Sequence, residues 1–87
     1  MVTVKKFSAE WCGPCRALAP VMTEIKGQFS NVKFEEYDVD NYVEETQKYN
    51  VTSVPTIIIE KNGEVVERFT GLSSKIAYVN AINEAIK

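Results

Sequence analysis

Cys12 and Cys15 are the only thiols in a chain of 87 residues, and they stand in the segment Trp11-Cys12-Gly13-Pro14-Cys15. Thiols at this spacing can close into a disulfide within a single turn, and an outside thiolate can reopen the ring. The apolar residues that follow (Leu18, Val21, Met22, Ile25 and Phe29) recur at intervals of three and four, which marks one face of a helix. Cys12 therefore stands at a helix N-terminus, where free backbone N–H groups and the positive end of the helix dipole favour a thiolate. In Cys-x-x-Cys motifs such placement lowers a thiol pKa from about 8.5 to roughly 7. The chemistry this implies is reversible dithiol–disulfide exchange. Zinc is the competing use of such a pair, but it takes about four ligands. The chain has no His and no third Cys, so no self-contained metal site is expected.

The elements that must hold the thiols can be read on either side. Residues 2–7 alternate as a strand and lead straight into the cysteine loop. Pro20 lies inside the helix and should kink it, having no N–H for the carbonyl of residue 16. Residues 32–39 read as a second strand, parallel to the first because a helix connects them. Asp40 or Asn41, with Glu44, provides a capping box for a short helix that runs to about Tyr49. The β-branched run at 56–59 suits a strand buried on both faces. Lys61-Asn62-Gly63-Glu64 is a hairpin turn into a strand at 65–70. Ser73 or Ser74 caps a last helix, with Ile76, Val79, Ile82 and Ile86 toward the core. The order βαβαββα gives an α/β fold: a four-stranded mixed sheet with helices on both faces, and a single domain over residues 1–87.

Composition narrows the partners. A net charge of −2 without a basic cluster argues against nucleic acid and anionic membrane. No apolar run reaches the length of a membrane span, and the alternating N-terminus lacks the apolar core of a signal peptide. The cytoplasm is the expected compartment, and a stable structural disulfide is unusual there.

The chain resembles the thioredoxin family along nearly its whole length. The resemblance rests on Ala9-Glu10-Trp11-Cys12-Gly13-Pro14-Cys15, on Leu18-Ala19-Pro20, on Val54-Pro55-Thr56, on Lys61-Asn62-Gly63-Glu64 and on Gly71. It implies that Cys12 is the exposed nucleophile and that Cys15, more buried, resolves the mixed disulfide. It further implies that Gly13 and Pro14 set the turn and the reducing potential. Trp11 would flank bound substrate. Val54 would offer backbone hydrogen bonds to an extended substrate segment. A cis Pro55 would keep that edge apolar and exclude metal. Gly71 and Leu72 would complete the substrate groove.

Two departures from the family pattern stand out. The family usually begins with a further strand and helix, whereas this sequence starts at the next strand; the resemblance would then be to a minimal version, with one sheet edge unpaired and one face partly open, and Thr3 and Lys5 suit such partial exposure. The family's buried aspartate, six residues before the first cysteine, is replaced by Lys6, and its partner lysine aligns with Glu36. The expectation is a reversed pair, with Glu36 as the carboxylate in a poorly solvated pocket and Lys6 as the cation. The remaining acidic residues (Glu35, Asp38, Asp40, Glu44, Glu45) are expected as a solvated face, and the four tyrosines as packing residues with wet hydroxyls.

The function implied is a protein-disulfide reductase, an electron carrier that binds no cofactor of its own. Its thiols would be regenerated by a thioredoxin reductase, a flavoprotein drawing on NADPH. A monomer acting on protein disulfides is expected. Two other readings are a glutaredoxin-like protein recycled by glutathione and a thioredoxin-fold interaction module that does not need its thiols.

Overall fold

The computed structural model describes all residues, Met1–Lys87. Seven elements follow one another: β1 (Val2–Ser8), α1 (Gly13–Gln28), β2 (Val32–Asp38), α2 (Val43–Lys48), β3 (Thr56–Lys61), β4 (Glu64–Thr70) and α3 (Lys75–Ile86). The strands form one mixed sheet in the order β2-β1-β3-β4. β1 runs parallel to β2, with Lys5 beside Glu35 and Lys6 beside Glu36. It runs antiparallel to β3, which in turn pairs antiparallel with β4. The helical crossover between β1 and β2 forces the first relationship, and the tight turn at residues 62–63 forces the last. Asn62 and Gly63 both have positive φ, 53° and 86°, as a two-residue hairpin turn demands.

The main core lies on one face of the sheet. Val2 and Val4 of β1, Val32 of β2, and Ile57 and Ile59 of β3 meet Leu18, Met22 and Ile25 of α1 and Tyr78, Ile82 and Ala85 of α3. The opposite face carries a smaller cluster of Phe7, Ile58 and Tyr49, with Tyr37, Val39 and Val51 around it. Because β3 supplies both clusters, Thr56, Ile57, Ile58 and Ile59 are all fully buried. α1 continues through Pro20 as one helix, and Thr23 turns its hydroxyl back onto the Ala19 carbonyl at 3.1 Å.

Some local expectations change. No side chain caps α2, which starts from Tyr42. The carbonyl of Asp38 takes the N–H groups of Asn41 and Tyr42, each at 2.9 Å, and the Asn41 amide donates back to the Asp38 carboxylate. Asp38 therefore organises this turn, leaving no residue free for a capping box with Glu44. At α3 the cap is Ser74, whose Oγ accepts from the Ala77 N–H at 3.1 Å. The buried stripe of α3 is Tyr78, Ile82 and Ala85, spaced by four and three. Ile76 lies off that stripe and is 72% exposed, and Ile86, in the last turn, is exposed as well. The Tyr78 hydroxyl is not wet: it accepts the Ser73 N–H at 2.9 Å, and burial pushes its phenol pKa up.

Lys5 departs furthest from expectation, for it is buried rather than half-exposed. Its ammonium donates to Glu35 at 2.9 Å, lies 3.7 Å from Glu60, and sits over the rings of Tyr37 and Tyr49. Tyr37 donates to Glu35 at 2.7 Å, and the Tyr49 hydroxyl donates to the buried Glu60. Charge and aromatic rings thus satisfy one another, which makes the burial tolerable. Of the two neighbouring glutamates, it is Glu35 that is drawn in.

Candidate active site

The site forms where β1 ends. Beyond Ser8 the chain turns at Ala9, and the Cys12 N–H returns to the Ala9 carbonyl at 3.2 Å. Cys12 then occupies the N-cap of α1 in an extended conformation. Its Sγ takes the place usually filled by a serine or aspartate oxygen and accepts the Cys15 N–H at 3.2 Å. Pro14, in the first turn, surrenders an N–H that would have had no helical partner there. Cys15 lies one turn in, its Cα 5.3 Å from that of Cys12, and the two are joined as a disulfide. A backbone donor and the positive helix end therefore converge on one sulfur, the arrangement that favours a thiolate once the ring is open.

In this oxidised state Cys12 is no more exposed than Cys15; the two are 4% and 5% accessible. Both pack with Ala9 beneath Val39 and Val54, so the first cysteine is shielded by its neighbours rather than projecting. The Val54 carbonyl oxygen lies 3.7 Å from Cys12 Sγ. The Val54–Pro55 peptide is cis, and Pro55 is buried. Thr56 secures this loop by donating its hydroxyl to the Ser53 carbonyl at 2.8 Å. The Gly71 N–H donates to the Pro55 carbonyl at 2.8 Å, and at φ 84° Gly71 holds a conformation costly for other residues. This link brings the exposed Leu72 to the proline loop.

Trp11 is 67% exposed and Gly13 and Pro14 are exposed beside it. The indole Nε1–H donates to Asp40 Oδ2 at 3.0 Å. Nothing in the sequence marked Asp40 as a partner of Trp11; it was expected among solvated acids, and the contact arises only because β1 and β2 end side by side. Lys6 and Glu36 do pair, at 2.8 Å, with Lys6 buried and the Glu36 side chain 73% exposed. The expected poorly solvated pocket around Glu36 is therefore absent, because β2 is an outer strand and Glu36 sits at its edge. Both residues nevertheless line a shallow hollow of about 380 Å³ that also reaches Cys15, Ser8, Arg16 and Asp38. No group of His, Cys, Asp or Glu is arranged to hold a metal ion, and no helix is long and apolar enough to cross a membrane.

The family model described as Thioredoxin matches residues 1–84. The chain belongs to the thioredoxin family. It is 37% identical over 78 residues to a thioredoxin of Chlamydia caviae, covering 90% of this chain and 76% of that one. It is 39% identical over 84 residues to a thioredoxin of Bacillus subtilis, covering 95% and 81%. Among solved structures, Fasciola hepatica thioredoxin superposes with a TM-score of 0.90 at 36% identity, over 97% of this chain and 80% of that one. A mutant thioredoxin from Halobacterium salinarum superposes with a TM-score of 0.92 at 32% identity, over 99% and 75%. As a member of the thioredoxin family the protein is a thiol-disulfide oxidoreductase that reduces protein disulfides by dithiol–disulfide exchange. The family carries no prosthetic group: the redox-active element is the Cys12–Cys15 pair, and NADPH acts through thioredoxin reductase.

Proposed function

We propose that Cys12 is the attacking thiolate and Cys15 the resolving thiol. The supporting observation is that Cys12 Sγ caps α1 and accepts the Cys15 N–H. In the reduced protein the Cys12 thiolate attacks one sulfur of a substrate disulfide. A mixed disulfide forms and the other substrate sulfur leaves as a thiolate. Cys15 then loses its proton and attacks Cys12 Sγ; the Cys12–Cys15 ring closes and the second substrate thiolate departs. Two electrons have passed to the substrate, and both of its sulfurs take up protons. Trp11, Val54, Pro55, Gly71 and Leu72 form the surface against which the substrate segment lies, with the Val54 backbone as its hydrogen-bonding edge. Gly13 and Pro14 shape the turn that holds the pair.

Cys15→Ser tests the assignment. This variant should accumulate a mixed disulfide with a protein substrate through Cys12, visible by non-reducing electrophoresis and mass spectrometry, whereas Cys12→Ser should accumulate none. Trapping through Cys15 in the Cys12→Ser protein would reverse the roles.

Lys6 and Glu36 support the second step in this reading. Glu36, reaching solvent across the hollow that Cys15 shares, accepts the Cys15 proton, and Lys6 fixes its position. Glu36→Gln should shift the pH profile of substrate reduction and slow resolution more than attack. An unchanged profile removes Glu36 from the mechanism. The protein is further read as a cytoplasmic monomer, a compartment in which thiol pools keep such a pair reduced. Analytical ultracentrifugation and fractionation of the source cells test those two statements.

A further inference from the structure

We propose that Arg16 is a positioning residue for disulfide exchange: its guanidinium staples the turn before Cys12 onto the first turn of α1, and so holds Cys12 Sγ at the helix N-cap when the ring is open. The proposal rests on the reading of Cys12 as the attacking thiolate. The observation behind it is a hydrogen bond from Arg16 Nη2 to the Glu10 carbonyl at 3.0 Å. The bond runs from the residue after Cys15 to a carbonyl two residues before Cys12, so it encloses both cysteines. Arg16 makes no ion pair, so no carboxylate draws the guanidinium away from that carbonyl.

While the disulfide is closed, the S–S bond itself fixes Cys12 against Cys15. Once it opens, the segment keeps few other ties. Gly13 adds backbone freedom, and Pro14 has no N–H to give. The Cys12 N–H meets the Ala9 carbonyl at 3.2 Å, and the Arg16 N–H meets the Cys12 carbonyl at a long 3.4 Å. Farther along, Pro20 offers no N–H to the Arg16 carbonyl. The first turn of α1 is therefore loosely laced on both sides, and the guanidinium bond is shorter than either of those backbone ties. Should the turn swing away, Cys12 Sγ loses the Cys15 N–H and the positive helix end, the two features that favour its thiolate. The residues packed on the pair (Ala9, Val39 and Val54) carry no charge that could take over. The other charged groups on the adjoining hollow are Lys6 and Glu36, which pair with each other, and the acids Glu10 and Asp38. A charged donor strengthens the Arg16 bond and solvent weakens it, so its removal should slow attack about three- to tenfold.

The test uses the full chain in both redox states. Arg16→Met keeps much of the apolar stem and removes every donor. Amide hydrogen exchange followed by NMR reads the Cys15 N–H directly, and the variant should quicken its exchange in the dithiol form with little change in the disulfide form. At pH 7, alkylation of Cys12 by iodoacetamide and single-turnover reduction of insulin should both slow about three- to tenfold, and the alkylation profile should move to higher pH. Arg16→Lys retains a donor on a stem of similar length and should restore most of both. Slower attack with unchanged exchange would mean that the cation acts on the sulfur through space, and would refute the staple. Exchange that quickens equally in both redox forms would refute it too, since that marks a general prop of the fold. So would no change in attack, whatever the exchange does. If the unaltered reduced protein alkylates at Cys12 no faster than an unstructured cysteine, the thiolate reading itself fails and the proposal falls with it.

Discussion

Replacing Glu35 by Gln keeps the shape of the group beside Lys5 and removes its charge. The loss should be read in how stability depends on pH. Lys5 and Tyr37 both donate to one Glu35 oxygen, at 2.9 and 2.7 Å, and Lys33 pairs with the other at 3.0 Å. The Lys5 hydrogen bond, then that of Tyr37, hold the carboxyl down to about 2 against an ordinary 4.5, with partial burial opposing them. Burial also opposes the Lys5 charge, yet its hydrogen bonds to Glu35 and Tyr37 prevail and raise its pKa. A carboxyl more acidic in the folded than in the unfolded chain stabilises the fold fully above pH 4.5, and that contribution drains away as pH falls toward about 2. Lys5 acts at the other end: its contribution is complete below 10.5 and is lost only as pH rises past its raised folded value.

The interval from 4.5 to about 2 sets a ceiling of about 3 kcal/mol. Glu35 keeps 23% of its side-chain surface accessible, and solvent screening reduces the expected value to about 1–2 kcal/mol. That is a sizeable part of a total of about 5–15 kcal/mol, and at pH 7 it lowers Tm by roughly 4–15 °C. Urea unfolding of both proteins across pH 2–7 measures it; urea is used because guanidinium salt would screen the charges. The two should differ most at pH 7 and converge near pH 2. A difference that stays constant across this range, or no difference at neutrality, would show that the Lys5–Glu35 pair does not support the fold as described.

Other outcomes follow from the geometry. Ile82→Ala should destabilise the fold by about 2–5 kcal/mol in the same urea assay, because Ile82 is fully enclosed, whereas Ile76→Ala, 72% exposed, should stay within about 0.5 kcal/mol. Gly71→Ala meets no atom within 4 Å, so only its φ of 84° is penalised; a loss of about 1–2 kcal/mol is expected in thermal melts. Ser74→Ala removes the α3 cap and should cost about 1 kcal/mol, with Ser74→Asp restoring it.

The parts of the fold that periodicity governs were legible in the sequence. The three-and-four spacing of Leu18, Met22 and Ile25 located α1, the isoleucine run located β3, and Asn62-Gly63 located the hairpin. The thiol pair and its helix were legible because each depends on local residue types, whereas the proline loop was legible only through the family resemblance. What escaped depends on which strands lie side by side. Glu35 and Glu36 are chemically identical neighbours on an alternating strand, and only the pairing of β2 with β1 decides which one meets Lys5 and which one meets Lys6 at an exposed edge. The Trp11–Asp40 bond has the same origin. Ile76 misled for another reason: an apolar side chain on a helix suggests burial, but the angular position set by Tyr78 and Ile82 turned it outward.

The outer strands of the sheet carry a further consequence. β2 bears Lys33, Glu35, Glu36 and Asp38, and β4 bears Glu64, Glu67 and Arg68, with a register irregularity opposite it between Ile59 and Glu60. Charge and irregularity at a rim discourage another chain from adding itself as the next strand. A protein that opens disulfides repeatedly meets partly unravelled polypeptides with open backbone to offer. Rims of this kind let it handle such chains and release them without being woven into aggregates.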